Sequence, residues 1–157
     1  MTYIKITSII FFSIFLLSCG FKPLNKKNSS IIYLGTVNII GDKRITYALK
    51  NDILLISDKN SKNKYDAQIK VIIKKNNKIK DKTGKVTRYN LSVTADLILT
   101  NIDNKTKIQR KFSRNTDYDV ADVYSDTLRR ERNSTKNIIN QLTEDMINFI
   151  NISMRSK

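Results

Sequence analysis

Two stretches near the middle of the chain alternate with a period of two. In the first, Tyr65, Ala67, Ile69, Val71 and Ile73 share one parity, while Asp66, Gln68, Lys70 and Lys74 hold the other. In the second, Tyr89, Leu91, Val93, Ala95, Leu97 and Leu99 alternate with Arg88, Asn90, Ser92, Thr94 and Asp96. Successive side chains of a strand point to opposite faces, so both stretches predict strands with one face on a core and one in water, as in antiparallel sheets. Lys74 to Lys85 lies between them, is polar, contains Gly84 and reads as a hairpin loop. A tight polar turn at Asn101 to Asn104 leads to a further strand from about Lys105 to Asn115, with Ile108 and Phe112 on one face. Arg110 and Arg114 share that parity. The strand therefore lies at a sheet edge or holds a bulge that turns the arginines outward.

Before these strands, Ile31 to Ile40 is a β-branched, mainly apolar run, expected to be a strand buried on both faces or nearly so. Asp42 can cap a helix in which Ile45, Ala48, Leu49, Ile53 and Ile56 recur at helical spacing. That helix is expected to run about four turns and end near Asp58, with a polar connection at Asn60 to Lys64. After the strands, Tyr124, Leu128, Thr135, Ile138, Leu142, Met146, Phe149 and Ile150 trace the stripe of a long helix, capped by Asp119 or Asp122. Arg129, Arg130, Arg132, Lys136 and Asn140 lie on its other side. The predicted order is β-α-β-β-β-α. It implies an α+β two-layer sandwich: a four-stranded, mostly antiparallel or mixed sheet with two helices packed on one face.

The N-terminus follows a different logic. Lys5 gives a short basic start and Ile6 to Leu17 an apolar run, shorter than the roughly 20 residues a spanning helix needs. Leu16-Leu17-Ser18-Cys19 then places a small residue before the sole cysteine of the chain. This layout fits a cleaved signal peptide over residues 1–18. Its ending resembles the lipobox of bacterial lipoproteins, in which the cysteine thiol is acylated and becomes the new N-terminus. Cys19 is thus the expected lipidation site, residues 19–30 a polar tether with the only proline, and residues 31–157 the folded domain. Gly20, where lipoproteins kept at the inner membrane often carry Asp, favours the periplasmic face of the outer membrane.

Composition narrows the chemistry. The 157 residues carry 29 Lys and Arg against 14 Asp and Glu, and the segment before Cys19 removes only Lys5 from that excess. A charge balance of this kind favours an anionic partner. The absence of histidine removes the commonest general base, and a single cysteine forms no intrachain disulfide. No phosphate-binding glycine loop or nucleophile elbow is present, so no enzyme activity, cofactor or metal is expected. Asp117, Asp119, Asp122 and Asp126 gather at the start of the last helix, where capping and the helix dipole account for them better than a cation site does. The richest cationic segment is Lys74, Lys75, Lys78, Lys80, Lys82 and Lys85, six lysines that either form a solvated hairpin or contact phosphates. Arg110 and Arg114, with Lys111, make a second cluster. Stacking aromatics are missing from the lysine segment, and an export signal precedes it, so nucleic acid is disfavoured as a partner.

Three stretches resemble the LptE family of lipopolysaccharide-assembly lipoproteins, most closely its alphaproteobacterial branch. They are Cys19-Gly20-Phe21-Lys22-Pro23-Leu24; Arg44 through Leu54, with Leu49-Lys50-Asn51; and Arg88-Tyr89-x-Leu91-x-Val93 together with the Arg129-Arg130-Glu131 run. Asn25 stands where the family often has Tyr. The resemblance implies a lipid-anchored domain that plugs the lumen of an LptD-like outer-membrane β-barrel and assists insertion of lipopolysaccharide into the outer leaflet. It also implies lipopolysaccharide contacts from basic residues, for which the six hairpin lysines, Arg110 and Arg114 are the candidates. The competing reading is a periplasm-facing transport-accessory lipoprotein that binds phospholipid or another anionic partner.

Overall fold

A computed structural model describes residues 32–155. The predicted signal peptide, Cys19 and the tether lie outside the described residues. The elements are β1 (Tyr33–Ile40), α1 (Lys43–Leu54), β2 (Lys64–Lys80), β3 (Val86–Asn101), β4 (Lys107–Asp119) and α2 (Tyr124–Arg155). The four strands form one sheet in the order β1-β2-β3-β4, with β1 parallel to β2 and the other pairs antiparallel. The sheet is mixed, and the α+β order β-α-β-β-β-α is the one the polar and apolar pattern predicts.

A parallel neighbour needs a crossover, and α1 supplies it. Gly41 makes the turn from β1 into α1 at φ 155°, where a Cβ would come within 3.0 Å of the Val71 carbonyl oxygen. The Asp42 carbonyl accepts from the backbone N–H groups of Ile45 and Thr46, starting the helix. Leu49 and Ile53 bury its inner face completely. The helix ends at Leu54, a turn earlier than the apolar spacing implies. Ile56 packs on the core from the connection that follows, where Ser57 bridges Ile32 and its Oγ accepts from the Leu34 N–H at 2.9 Å.

The expectation that β1 is buried on both faces is corrected. It is an edge strand: only Leu34 and Val37 are buried within it, while Gly35, Thr36, Asn38 and Ile40 are exposed. Its aliphatic character reflects β propensity rather than two covered faces.

The alternating faces of β2 and β3 meet α1 and α2 in one core, which includes Tyr65, Ile69, Val93, Leu97, Ile138, Leu142 and Met146. Both helices therefore lie on the same side of the sheet. Helix α2 has 32 residues and follows β4 back along its length, with Phe112 and Phe149 edge-on at a centroid separation of 5.8 Å. Tyr124 departs from the predicted stripe: it is 74% exposed, and Thr127 takes the inward place at the first turn. The Thr127 Oγ accepts from the Ala121 N–H at 2.9 Å and closes the β4–α2 connection.

Candidate functional site

The lysine segment is not a loop. Strand β2 continues to Lys80 and β3 begins at Val86, so most of the segment forms a two-stranded ribbon that extends the middle of the sheet. Register holds from Tyr65 opposite Asn101 to Asn77 opposite Tyr89, then shifts around Lys78 and Ile79. Polar side chains hid the strand from a reading based on apolar alternation, because this end of the ribbon has no core on either face.

The turn at its tip is closed by Asp81. The carboxylate accepts from the Thr83 N–H at 2.8 Å, the Thr83 hydroxyl at 2.6 Å and the Lys85 N–H at 3.0 Å. The Thr83 hydroxyl, more than any other neighbour, holds the Asp81 carboxyl below the usual carboxylate range, with Lys85 adding to the effect. Gly84 supplies the left-handed residue, at φ 85°. Asp81 is thus occupied by the turn.

The six lysines divide into two groups. Lys75 shares the parity of Val71 and Ile73 and points to the helix side. Its ammonium lies 2.6 Å from Glu131 of α2 and 4.2 Å from the Tyr89 ring centroid. Tyr118 stacks on Tyr89 at 5.5 Å and donates its hydroxyl to the same Glu131 oxygen at 2.7 Å. Partial burial pulls the Lys75 pKa down, but its bonds to Glu131 and Tyr118 outweigh that and hold it above the ordinary lysine value. Burial pushes Tyr118 up to about 12. Burial raises Glu131 too, but Lys75 and Tyr118 outweigh it and leave the carboxyl below its ordinary value. Lys78 pairs with Asp117, which also accepts from Asn90 at 2.8 Å. All of these lysines are exposed, but Lys74, Lys80 and Lys82 have no carboxylate partner among the described residues. With Lys85 they are the cations presented to solvent.

The second cluster lies elsewhere. Strand β4 is an edge strand, and its register with β3 runs unbroken from Arg88–Asp119 to Thr100–Lys107, so the edge, not a bulge, explains Arg110 and Arg114. Arg114 grips Asp145 of α2 through two bonds of 2.7 and 2.8 Å, and each holds the other's charged form. Arg110 stacks on Phe149 at 4.8 Å and on Phe112 at 5.6 Å. The tip lysine Lys80 lies opposite Val86 and Arg110 opposite Leu97, about 37 Å apart along β3 at about 3.4 Å per residue. Lys74 and Arg114 lie opposite the neighbouring residues Ser92 and Val93, but on opposite faces of the sheet, with Arg114 turned to α2.

The acidic group before α2 is also reassigned. Asp117 and Asp119 are strand residues that pair across the sheet with Lys78 and Arg88, and Asp126 pairs with Arg129 one turn away. Among the described residues no cluster has the donors to hold a metal ion, and no helix is long and apolar enough to cross a membrane. Sequence reading missed the Lys75–Glu131–Tyr118–Tyr89 group, although the shared parity of Tyr89 with the core face of β3 was its visible trace.

The domain is thus a β-α-β-β-β-α fold that carries a cationic ribbon on its sheet. Residues 35–150 match the family model LptE, described as lipopolysaccharide-assembly, and the chain belongs to that family. No curated protein gives a significant match. Among solved structures, a Caulobacter crescentus CB15 protein assigned as a lipoprotein superposes with a TM-score of 0.55 at 12% identity, covering 82% of this chain and 93% of that one. Rare lipoprotein B from Shewanella oneidensis gives 0.50 at 14% identity, with 78% and 95% covered. An uncharacterized lipoprotein B from Nitrosomonas europaea gives 0.51 at 13%, with 76% and 79% covered. These structures share the fold.

Proposed function

We propose that this chain is a lipoprotein anchored through Cys19 to the periplasmic face of the outer membrane, where it plugs an LptD-like β-barrel and assists insertion of lipopolysaccharide into the outer leaflet. The observation that carries the reading is the match of residues 35–150 to the lipopolysaccharide-assembly family. Two physical features support it. The helix-free face of the sheet is mostly polar, with Gln68, Ser92, Thr94 and Ser113 beside Ile72 and Ile98, a surface suited to the polar interior of a large barrel. At one end of that sheet, Lys74, Lys80, Lys82 and Lys85 are exposed, and positive charge of this kind supports contact with the phosphates of an anionic glycolipid.

In this role no bond is made or broken by the protein. The ribbon supplies fixed positive charge, and its ladder with β3 keeps that charge in place. Glu131 and Asp117 restrain Lys75 and Lys78. The test is co-purification from cells: tagged full-length protein, extracted in mild detergent, brings down a large β-barrel together with lipopolysaccharide. Recovery with neither, or with phospholipid and a periplasmic partner instead, would transfer the assignment to the transport-accessory reading.

A further inference from the structure

Strand β1 ends with Ile40 opposite Lys70, and α1 starts at Lys43, whereas β2 and β3 continue past that level toward the hairpin tip. Beyond Val71 the helix side of β2 therefore has α2 on one flank and leaves α1 behind. A cleft of about 940 Å³ results, within the range of roughly 300–1,000 Å³ common for ligand sites. Its floor is Ile73 and Leu91, and its walls are Ile45 and Ala48 from α1 and Leu128 and Ile139 from α2. Every apolar side chain lining it is aliphatic. Ile45, Ile73 and Leu128 stay half-buried in the free chain, so an apolar occupant would remove them from water.

The rim has a sign. Lys75 is neutralised by Glu131, and against the remaining acid, Asp42 at the start of α1, stand Arg132 and Lys136, one turn apart on α2, exposed and without a carboxylate partner among the described residues. An uncharged lipid would leave both cations unmatched. A peptide would be expected to bring an aromatic or arginine anchor, and an arginine would be repelled by this rim.

We propose that this cleft seats one acyl chain of a phosphorylated glycolipid, with a headgroup phosphate held by Arg132 and Lys136. The inference rests on the lipopolysaccharide reading above and deepens it. It separates an acyl subsite, between the helices, from the cationic ribbon beside it.

The test uses the full chain in mild detergent, titrated with intact lipopolysaccharide, with the same lipopolysaccharide stripped of its acyl chains, and with phosphatidylglycerol. Wild type is expected to bind the intact form about tenfold or more tightly than the stripped form, since burial of several methylenes is lost with the chains. Ala48→Trp, at an exposed helix position, places an indole in the cleft and should abolish that preference while leaving binding of the stripped form unchanged. The double change Arg132→Gln and Lys136→Gln alters only surface charge and should weaken both forms, which keeps the test valid if the tryptophan variant unfolds. An undiminished acyl preference in folded Ala48→Trp overturns the cleft assignment and leaves the lipopolysaccharide reading standing. An equal loss for phosphatidylglycerol overturns the choice of a glycolipid. Absence of lipopolysaccharide binding in wild type overturns the cleft proposal and the cargo reading together.

Discussion

The Lys75 ammonium and the Glu131 carboxylate meet at 2.6 Å, and this contact joins the inner face of the ribbon to α2. Tyr118 shares the same carboxylate oxygen, so three groups depend on one acid. Glu131→Gln should lower stability by about 0.5–1 kcal/mol, a small figure because both partners are partly solvated. Thermal unfolding of the variant beside wild type measures it. The same change should raise amide hydrogen exchange in Lys74–Lys80 more than in Tyr65–Val71, where the core holds the strand. Uniform exchange across β2 would show that the ribbon is not held through this contact.

The pH dependence follows from the same group. The Glu131 carboxyl titrates below its ordinary value in the folded chain, so its stabilisation is present above the unfolded carboxylate pKa and fades as pH falls through the lowered one. Lys75 is raised, and Tyr118 is pushed up to about 12, so their contribution is complete below about pH 10 and is lost as pH climbs toward those raised values. Stability should therefore form a plateau with falls on the acid and the strongly alkaline sides. Glu131→Gln should flatten part of both. Chemical denaturation from pH 3 to pH 11 reads this directly.

Charge removal at the ribbon should separate binding from folding. Lys74→Gln, Lys80→Gln, Lys82→Gln and Lys85→Gln together should weaken lipopolysaccharide binding by about tenfold at low salt, with a smaller effect at high salt. The melting temperature should move little, because these ammonium groups are exposed and Asp81 keeps its turn contacts through Thr83 and the backbone. Binding unchanged at low salt would reduce the segment to a solvated hairpin. Lys75 and Lys78 are left intact in this variant, since their ion pairs would confuse the two effects.

Leu142 of α2 is fully buried in the core. Leu142→Ala should cost about 2–5 kcal/mol, the usual range for a large-to-small core change. Ile152→Ala, at a position 67% exposed on the same helix, should change stability by less than about 0.5 kcal/mol. Urea unfolding of the two variants checks whether the packed face of α2 is the one described.

Cys19→Ala should leave unprocessed protein at the inner membrane, detected as a larger species in fractionated cells. Normal processing and outer-membrane fractionation of that variant would remove the anchor from the account.

The element order along the chain, the faces of the middle strands and the long helix were legible because apolar residues repeat with the period of the element that buries them. Leu91 to Leu99 and Ile138 to Ile150 are buried where that period places them. Features held by polar contacts were not. Lys74 to Lys80 form a strand through backbone pairing with β3, which leaves no apolar rhythm to read. The first turn of α2 buries Thr127 through its bond to Ala121 and leaves Tyr124 in solvent, a choice hydrophobicity alone inverts. Arg110 and Arg114 share a parity with Phe112, which in the sequence pointed only to an edge or a bulge; the strand is an edge, and the parity turns both arginines to α2, where Phe149 and Asp145 receive them. The division of the lysines into restrained and free groups depended on Glu131 and Asp117, which are far away in the sequence.

The most direct test of the central claim is crosslinking in living cells from a photoreactive residue placed at Thr94, in the middle of the polar face of β3. A domain seated inside a barrel gives a single high-mass adduct with an outer-membrane β-barrel. Adducts only with periplasmic or inner-membrane proteins, at normal levels of folded and processed protein, would contradict that placement.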